Sequence, residues 1–326
     1  MNDRKNQIRL ARVLAFLFRS ACCSVVVLTL ARLAAADDKP GELLRPSTTT
    51  PAKAPPIVDN AAWYQPFPAH RVVGNIYYVG SRDLATYLIT TPQGHILINS
   101  GFEQTVPLIR KSVESLGFKM TDVKILLASH AHNDHVAGHA RLKELTGAAV
   151  YVMRGDDNVI ASGGAGQYLY DSRWKPCKVD RVLDDGDKVT VGDVTLVAHL
   201  TPGHTRGCTT WTCRAQDGAK TYDVVIVGSY NVNPGFQLVD NKDYPQIADD
   251  YIKTFAVLKS LPCDVFLGAH GSYYGMIAKY DAAKNGAVVN AFVDPKGYQD
   301  RIAEKEKEFQ RTLAAQKAAR ANPPSQ

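Results

Sequence analysis

Between Ser129 and His135 the chain reads Ser-His-Ala-His-Asn-Asp-His, which places three histidines and one aspartate within six consecutive residues. Packing gives no reason for that density of imidazole. Metal binding does, because neutral imidazole nitrogen and carboxylate oxygen are the usual partners of zinc. The alternate spacing of His130 and His132 lets two side chains converge on one ion. Asp134 and His135 then point elsewhere, which suggests a second ion close by. Two more histidines share this placement: His204 in Thr201-Pro202-Gly203-His204-Thr205 and His270 in Gly268-Ala269-His270-Gly271. The remaining candidates, His70, His95, His139 and His199, lack that context and read as ordinary. The plain alternative for the cluster is a solvated loop that happens to be rich in histidine.

The elements that must position these residues follow from periodicity. Val123 to Ser129 is a short apolar run of the buried-strand type, and Gly138 to Glu144 reads as the start of a helix. The cluster therefore leaves the end of a strand. Upstream, Val72-Val73 and Ile76–Val79 flank a Gly74-Asn75 turn, and Ala85–Thr90 and His95–Asn99 flank Pro92-Gln93-Gly94, a hairpin. Val106 to Leu116 has helical spacing and stops at Gly117. Ala148–Met153 is a further strand. Residues 154–178 are polar and glycine-rich, a long surface segment of the sort that often borders a site. The second half repeats the logic: Lys188–Val191 and Val194–Leu200 flank Gly192-Asp193, and His204 follows. Cys208–Cys213 and Asp223–Val227 are strands, and the latter ends at Gly228-Ser229. Ile247, Tyr251, Phe255 and Leu258 mark one face of a helix, Val265–Gly268 is a last strand with His270 beyond it, and Tyr298, Ile302, Phe309 and Leu313 mark a long C-terminal helix. Strands then helix, twice over, predict an α/β chain with two β-sheets flanked by helices.

The ends read differently from the middle. Residues 1–36 combine a basic start, two apolar runs (Val13–Phe18 and Ala21–Ala31) and Ala34-Ala35-Ala36, the pattern of a cleaved export signal. The alternative is an uncleaved anchor, but neither run reaches the ~18–20 residues of a membrane span. Residues 37–60 are rich in proline and threonine and read as a linker or arm, 61–318 as the folded domain, and 319–326 as a disordered tail. The formal charge of +6 comes mainly from the first 36 residues, where six basic side chains stand against one acid. The remainder carries only about +1, which gives no case for nucleic acid or an anionic membrane as partner.

Taken together, His-x-His-x-Asp-His, Thr201-Pro202-Gly203-His204-Thr205 and the strand-end His270 resemble the metallo-β-lactamase superfamily over residues 65–315. Four phrases are similar to its class B, subclass 3 lactamases. They are Leu126 to His132, Gly203 to Thr212, Tyr244-Pro245 with Asp249-Asp250-Tyr251, and Gly268 to Ser272. The resemblance implies a four-layer αββα sandwich and two zinc ions. His130, His132 and His204 would hold the first, and Asp134, His135 and His270 the second. It also implies hydrolysis of the β-lactam amide bond by a metal-bound hydroxide, with Asp134 orienting the nucleophile and Ser229 and Asn231 receiving the substrate's carboxylate. Tyr168 and Tyr170 would line the rim. A periplasmic, monomeric enzyme acting on a small β-lactam, and antibiotic resistance as its consequence, complete the expectation.

The resemblance also frames the alternatives. Thioester and lactone hydrolases of the superfamily place a metal-bridging aspartate after the strand that here ends Val227-Gly228-Ser229, and other lactamases place a cysteine ligand there. Neither residue is present. A thioester, lactone or phosphodiester hydrolase, and a metal-binding scaffold without activity, remain the rival readings. Asn99 stands where relatives often have an aspartate supporting the metal loop, which puts metal affinity in question. Arg206 replaces a common proline. Cys177, Cys208, Cys213 and Cys263 offer no secure disulfide. Cys208 and Cys213 on one strand would be ~16 Å apart, and the bond that relatives make from the position of Cys263 has no second cysteine near Asp294 to Gly297.

Overall fold

The structure is a computed structural model that describes residues 60–170, 172–286 and 290–321. The expected export signal, nearly all of the expected linker and the last five residues lie outside them. No helix among the described residues is long and apolar enough to cross a membrane.

Two mixed sheets form the centre. In the first, β1 (His70–Val73), β2 (Ile76–Tyr78), β3 (Tyr87–Thr91) and β4 (Gly94–Ile98) are successive antiparallel neighbours. β5 (Val123–Leu127), β6 (Ala149–Met153) and β7 (Arg181–Leu183) then continue from β4 in parallel. The parallel strands need crossovers, and helices supply them: α1 (Val106–Ser115) joins β4 to β5, and α2 (Asn133–Val136) with α3 (His139–Thr146) joins β5 to β6. The short α4 (Asp157–Ala161) lies between β6 and β7. The second sheet has β8 (Lys188–Val191), β9 (Val194–Leu200), β10 (Thr209–Asp217) and β11 (Lys220–Val227) antiparallel in order, with β12 (Val265–Gly268) parallel to β11. α5 (Ile247–Ser260) is the crossover between those last two. α6 (Met276–Lys284) and α7 (Pro295–Ala321) follow.

Strand alternation explains the layering. Side chains of successive strand residues point to opposite faces. In β4 and β5, Ile96, Ile98, Ile125 and Leu127 join a core with Leu196, Ala198 and Trp211 of the second sheet. Leu97, Leu126 and Ala128 face the other way, onto Val106, Ile109, Val113 and Leu142 of α1 and α3. Ile96–Ile98 and Ile125–Leu127 are buried on both faces, which is why these stretches read as apolar runs. On the far side, Tyr251, Phe255 and Leu258 of α5 meet Phe309 and Leu313 of α7, and the Tyr298 hydroxyl donates to the Leu258 carbonyl at 2.6 Å. The result is the expected αββα sandwich.

Three expectations need correction. Residues 154–178 are not simply surface: they contain α4 and bury Asp156, Val159, Ile160 and Cys177. The strand expected at Cys208 begins one residue later and runs to Asp217, so Cys208 lies in the loop before it. Cys177, Cys208, Cys213 and Cys263 are free thiols, which leaves the reading of no secure disulfide in place. α7 continues to Ala321, three residues into the stretch expected as tail.

Candidate metal centre

Every cluster residue sits just past the C-terminal end of a strand, on the edge where the two sheets open together. The β5 exit carries His130 to His135, the β9 exit carries His204, and the β12 exit carries His270. Local chemistry shapes each exit. Gly203 adopts φ +117°, and a Cβ there would stand 2.8 Å from the Tyr251 ring, so only glycine lets the His204 turn lie against α5.

The structure brings the sequence-selected ligands into two adjacent trios. The nitrogen ligand atoms of His130, His132 and His204 lie within 4.8 Å of one another. In the second trio, Asp134 Oδ2 is 3.1 Å from His135 Nε2 and 3.6 Å from His270 Nε2, and the two Nε2 atoms are 3.2 Å apart. His130 lies between the trios, its ring 4.2 Å from that of His135. A divalent metal fits what these side chains are. Five imidazoles and one carboxylate form a zinc-type donor set, and Asp134 Oδ1 is buried with no hydrogen-bond partner among the described residues. A buried carboxylate oxygen left alone is costly unless something positive meets it.

Electrostatics keep the donors in ligand form. Burial, aided by the neighbouring imidazoles, pushes His130 and His204 well below the ordinary histidine value, and burial brings His132 down to about 4. His135 is lowered for the same reason. Burial works against charge on Asp134, but the imidazoles of His135, His270 and His132 hold its carboxyl below the usual carboxylate range. His130, His132, His135 and His204 are therefore poised at neutral pH as neutral imidazoles beside one carboxylate, the state metals bind.

The outer atoms of the ligands are held by residues that sequence reading passed over. Asp83, in the loop between β2 and β3, accepts from His270 Nδ1 at 3.0 Å and from the Ser272 amide at 2.8 Å, and Trp63 Nε1 donates to it at 3.2 Å. That bond fixes the His270 tautomer with Nε2 free for an ion. Burial opposes Asp83's charge, yet His270 and Ser272 bring its carboxyl down to about 2. Asp156 is 2% exposed. It accepts from the Ala131 amide at 2.7 Å, the Thr205 hydroxyl at 2.7 Å and the Gly207 amide at 2.9 Å, tying the His130/His132 loop to the His204 loop. Burial lifts its carboxyl to about 6 against those three bonds.

Asn99 suits its position. It has φ 68°, a conformation asparagine tolerates. Its Oδ1 accepts from the Ser129 amide at 2.8 Å while Nδ2 donates to the Ala85 carbonyl at 3.2 Å. A carboxylate could accept there but not donate, so the carboxamide supports the metal loop without the expected charge. Arg206 lies over the Tyr244 ring at 4.6 Å and donates to the Asp243 carbonyl.

A cavity of about 400 Å³ opens over the trios, walled by Trp63, Tyr170, Asn231, Asn233, Ser272 and Tyr273. The candidate substrate residues divide. Asn231 lines the cavity, its Nδ2 donating to the Tyr273 hydroxyl at 3.1 Å, while its carbonyl accepts from His204 Nδ1 at 2.8 Å. Ser229 does not line it. Ser229 is 1% exposed behind Tyr273, with its Oγ 3.1 Å from the Tyr273 hydroxyl, because the strand end turns it inward. Tyr170 is on the wall, its ring 5.1 Å from His132 and its hydroxyl accepting from Asn233 at 2.8 Å. Tyr168 is not on it, since its hydroxyl is turned to the Gln237 amide. His139 is buried against Ser100, its Nδ1 2.8 Å from the serine hydroxyl, and remains outside the centre.

Residues 82–270 match the family model described as the metallo-beta-lactamase superfamily. Among solved structures, the chain is similar to the native FEZ-1 metallo-beta-lactamase of Legionella gormanii. The two are 49% identical with a TM-score of 0.76, over 78% of this chain and 98% of that one. It is also similar to BJP-1, a subclass B3 metallo-beta-lactamase of Bradyrhizobium japonicum, at 39% identity and TM-score 0.74, over 79% and 98%. Among curated proteins it resembles a hydroxyacylglutathione hydrolase of Pseudomonas putida (strain W619), 43% identical over 82 residues. That match spans only a quarter of either chain.

Proposed function

Because this chain belongs to the metallo-β-lactamase superfamily, we propose that it is a dizinc hydrolase that opens the amide bond of β-lactams. The observation that carries the reading is the second trio. It is built from one carboxylate and two histidines, with Ser229 turned away at the end of β11 and no bridging carboxylate there. That is the arrangement the lactamase resemblance implies, and the two lactamases are matched over nearly their whole length.

The residues divide the work. Ions held by the trios would acidify a water from about 15.7 towards ~7 and polarise the lactam carbonyl. Asp134 Oδ1, which has no partner among the described residues, is the acceptor that orients the attacking water. Asn233 donates to the Tyr170 hydroxyl, which leaves the phenolic proton to donate to the substrate from beside His132. Asn231 Nδ2 and the Tyr273 hydroxyl offer donors to the substrate carboxylate. On this reading residues 1–36 export the chain to the periplasm, where it acts as a monomer and confers antibiotic resistance.

A thioester hydrolase is the second reading, favoured by the match to the hydroxyacylglutathione hydrolase. The test is hydrolysis of a carbapenem, a cephalosporin and S-lactoylglutathione by the purified protein, with and without a chelator. Chelator-sensitive loss of lactam absorbance is expected. Lactams left intact by zinc-loaded protein that cleaves the thioester would overturn the lactamase reading.

A further inference from the structure

We propose that a second hollow beside the metal cavity is a subsite for a substrate arm ending in a free amino-acid head, an α-ammonium with an α-carboxylate. The inference deepens the reading of the site given above and rests on it for the reacting bond. The hollow has a volume of about 550 Å³. It shares Asn60, Asp83 and Ser272 with the metal cavity, so the two form one cleft running outward past His270. An acyl arm attached to a ring whose amide lies over the trios has this direction open to it.

The chemistry of the hollow is specific. Its floor is apolar, from Met276 and Ile277 at the start of α6. Three charged residues line it. Asp83 is already committed to His270, Ser272 and Trp63. Arg82 and Asp281 are exposed, and among the described residues neither side chain has an ion-pair or hydrogen-bond partner, including each other. A cation and an anion without partners among the described residues, lining one hollow with apolar side chains, match a zwitterion joined to an aliphatic stem. The guanidinium takes the carboxylate in its planar fork, Asp281 takes the ammonium, and the stem covers Ile277. A neutral aromatic arm would satisfy neither charge.

Two sources carry this head: a β-lactam with an aminoadipyl arm, and a thioester with a γ-glutamyl arm. Cephalosporin C and cephalothin separate the arm from the nucleus, because they share the ring system and differ in the acyl group. With zinc-loaded full-length protein, R82Q and D281N should each raise KM for cephalosporin C about two- to fivefold, the range of an exposed ion pair, and leave cephalothin unchanged. Neither side chain holds a partner, so both variants should melt with the wild type. If cephalothin is hydrolysed but the variants shift both cephalosporins equally or neither, the subsite is wrong while the lactamase reading stands. If neither cephalosporin is hydrolysed and S-lactoylglutathione is, with the same sensitivity to R82Q and D281N, the lactamase reading fails and the subsite stands with a thioester arm. Where no substrate is turned over, saturation-transfer NMR reads the same pairs by binding. Equal signals from wild type and R82Q on cephalosporin C would overturn the inference.

Discussion

The two trios are a few ångströms apart and are held in place by different means. In the histidine trio, His204 is anchored by the Asn231 backbone carbonyl, and its loop is tied to the His130 loop through buried Asp156. The trio itself carries no charge. In the mixed trio, Asp134 brings a carboxylate into the shell and His270 leans on a second one, Asp83. One trio is a neutral pocket held by main chain and a buried bridge. The other is an anionic pocket held by side chains that a single substitution can remove. The difference teaches that the mixed trio should be the site where substitutions act on one ion alone.

The largest test of this contrast is Asp134→Asn. A catalytic ion supplies several kcal/mol of transition-state stabilisation, and at about 1.4 kcal/mol per tenfold that corresponds to about a hundredfold or more in kcat. The expected result is that loss together with a fall in zinc content from two ions to one, read by plasma emission. Two retained ions would show that Asp134 is not a required ligand.

Next in size is the bridge under the histidine trio. The folded carboxyl of Asp156 stands at about 6, above the ~3.9 of an unfolded chain. The folded state therefore binds the proton more tightly, and this group's favourable contribution is complete below pH ~4 and lost as pH rises through ~6. The span of about two pH units corresponds to about 3 kcal/mol. Denaturant melts of metal-free protein at pH 4 and pH 7 should show that Asp156→Asn loses stability mainly at the lower pH. A variant offset equal at both would mean that Asp156 keeps an ordinary value in the fold.

Asp83→Asn should act on the mixed trio alone. Removing the carboxylate behind a ligating histidine typically costs about 10–100-fold in metal affinity. Competition with a chelator should show one weakened ion and one unchanged. Equal weakening of both would break the contrast, because it would mean that the trios are not separately supported.

How much of this was legible beforehand follows from distance along the chain. Four ligands fall in one six-residue run, so their chemistry was visible in their spacing, and His204 and His270 stood at recognisable strand exits. The strands showed as apolar runs because both faces are buried. The supports were not legible. Asp83 meets His270 across 187 positions, and Asp156 meets Ala131 and Thr205 across 25 and 49. Each is an ordinary aspartate in a polar stretch until the fold closes. The anchor of His204 is a main-chain carbonyl, which no residue type announces. Ser229 was misplaced for a related reason: its position after β11 was right, but the direction of its side chain depends on Tyr273.

That misplacement gives the smallest and sharpest test. The Tyr273 hydroxyl is approached by Ser229 Oγ and by Asn231 Nδ2, each at 3.1 Å. Only the asparagine and the tyrosine reach the cavity. Ser229→Ala leaves Tyr273 held by Asn231, so besides the longer bond from the Asn231 amide at 3.4 Å it removes one hydrogen bond to Tyr273, worth about 0.5–1.5 kcal/mol. Because that bond is not made to the substrate, KM for a carboxylate-bearing lactam should rise only about twofold, the low end of that range. Asn231→Ala removes a cavity donor and the same kind of support together, so its KM should rise further. Zinc content should stay at the wild-type level in both, since His204 is anchored on the carbonyl of residue 231 and not on its side chain. A larger KM effect from Ser229→Ala than from Asn231→Ala would place the serine on the substrate directly, and would mean that Tyr273 moves aside when the lactam binds.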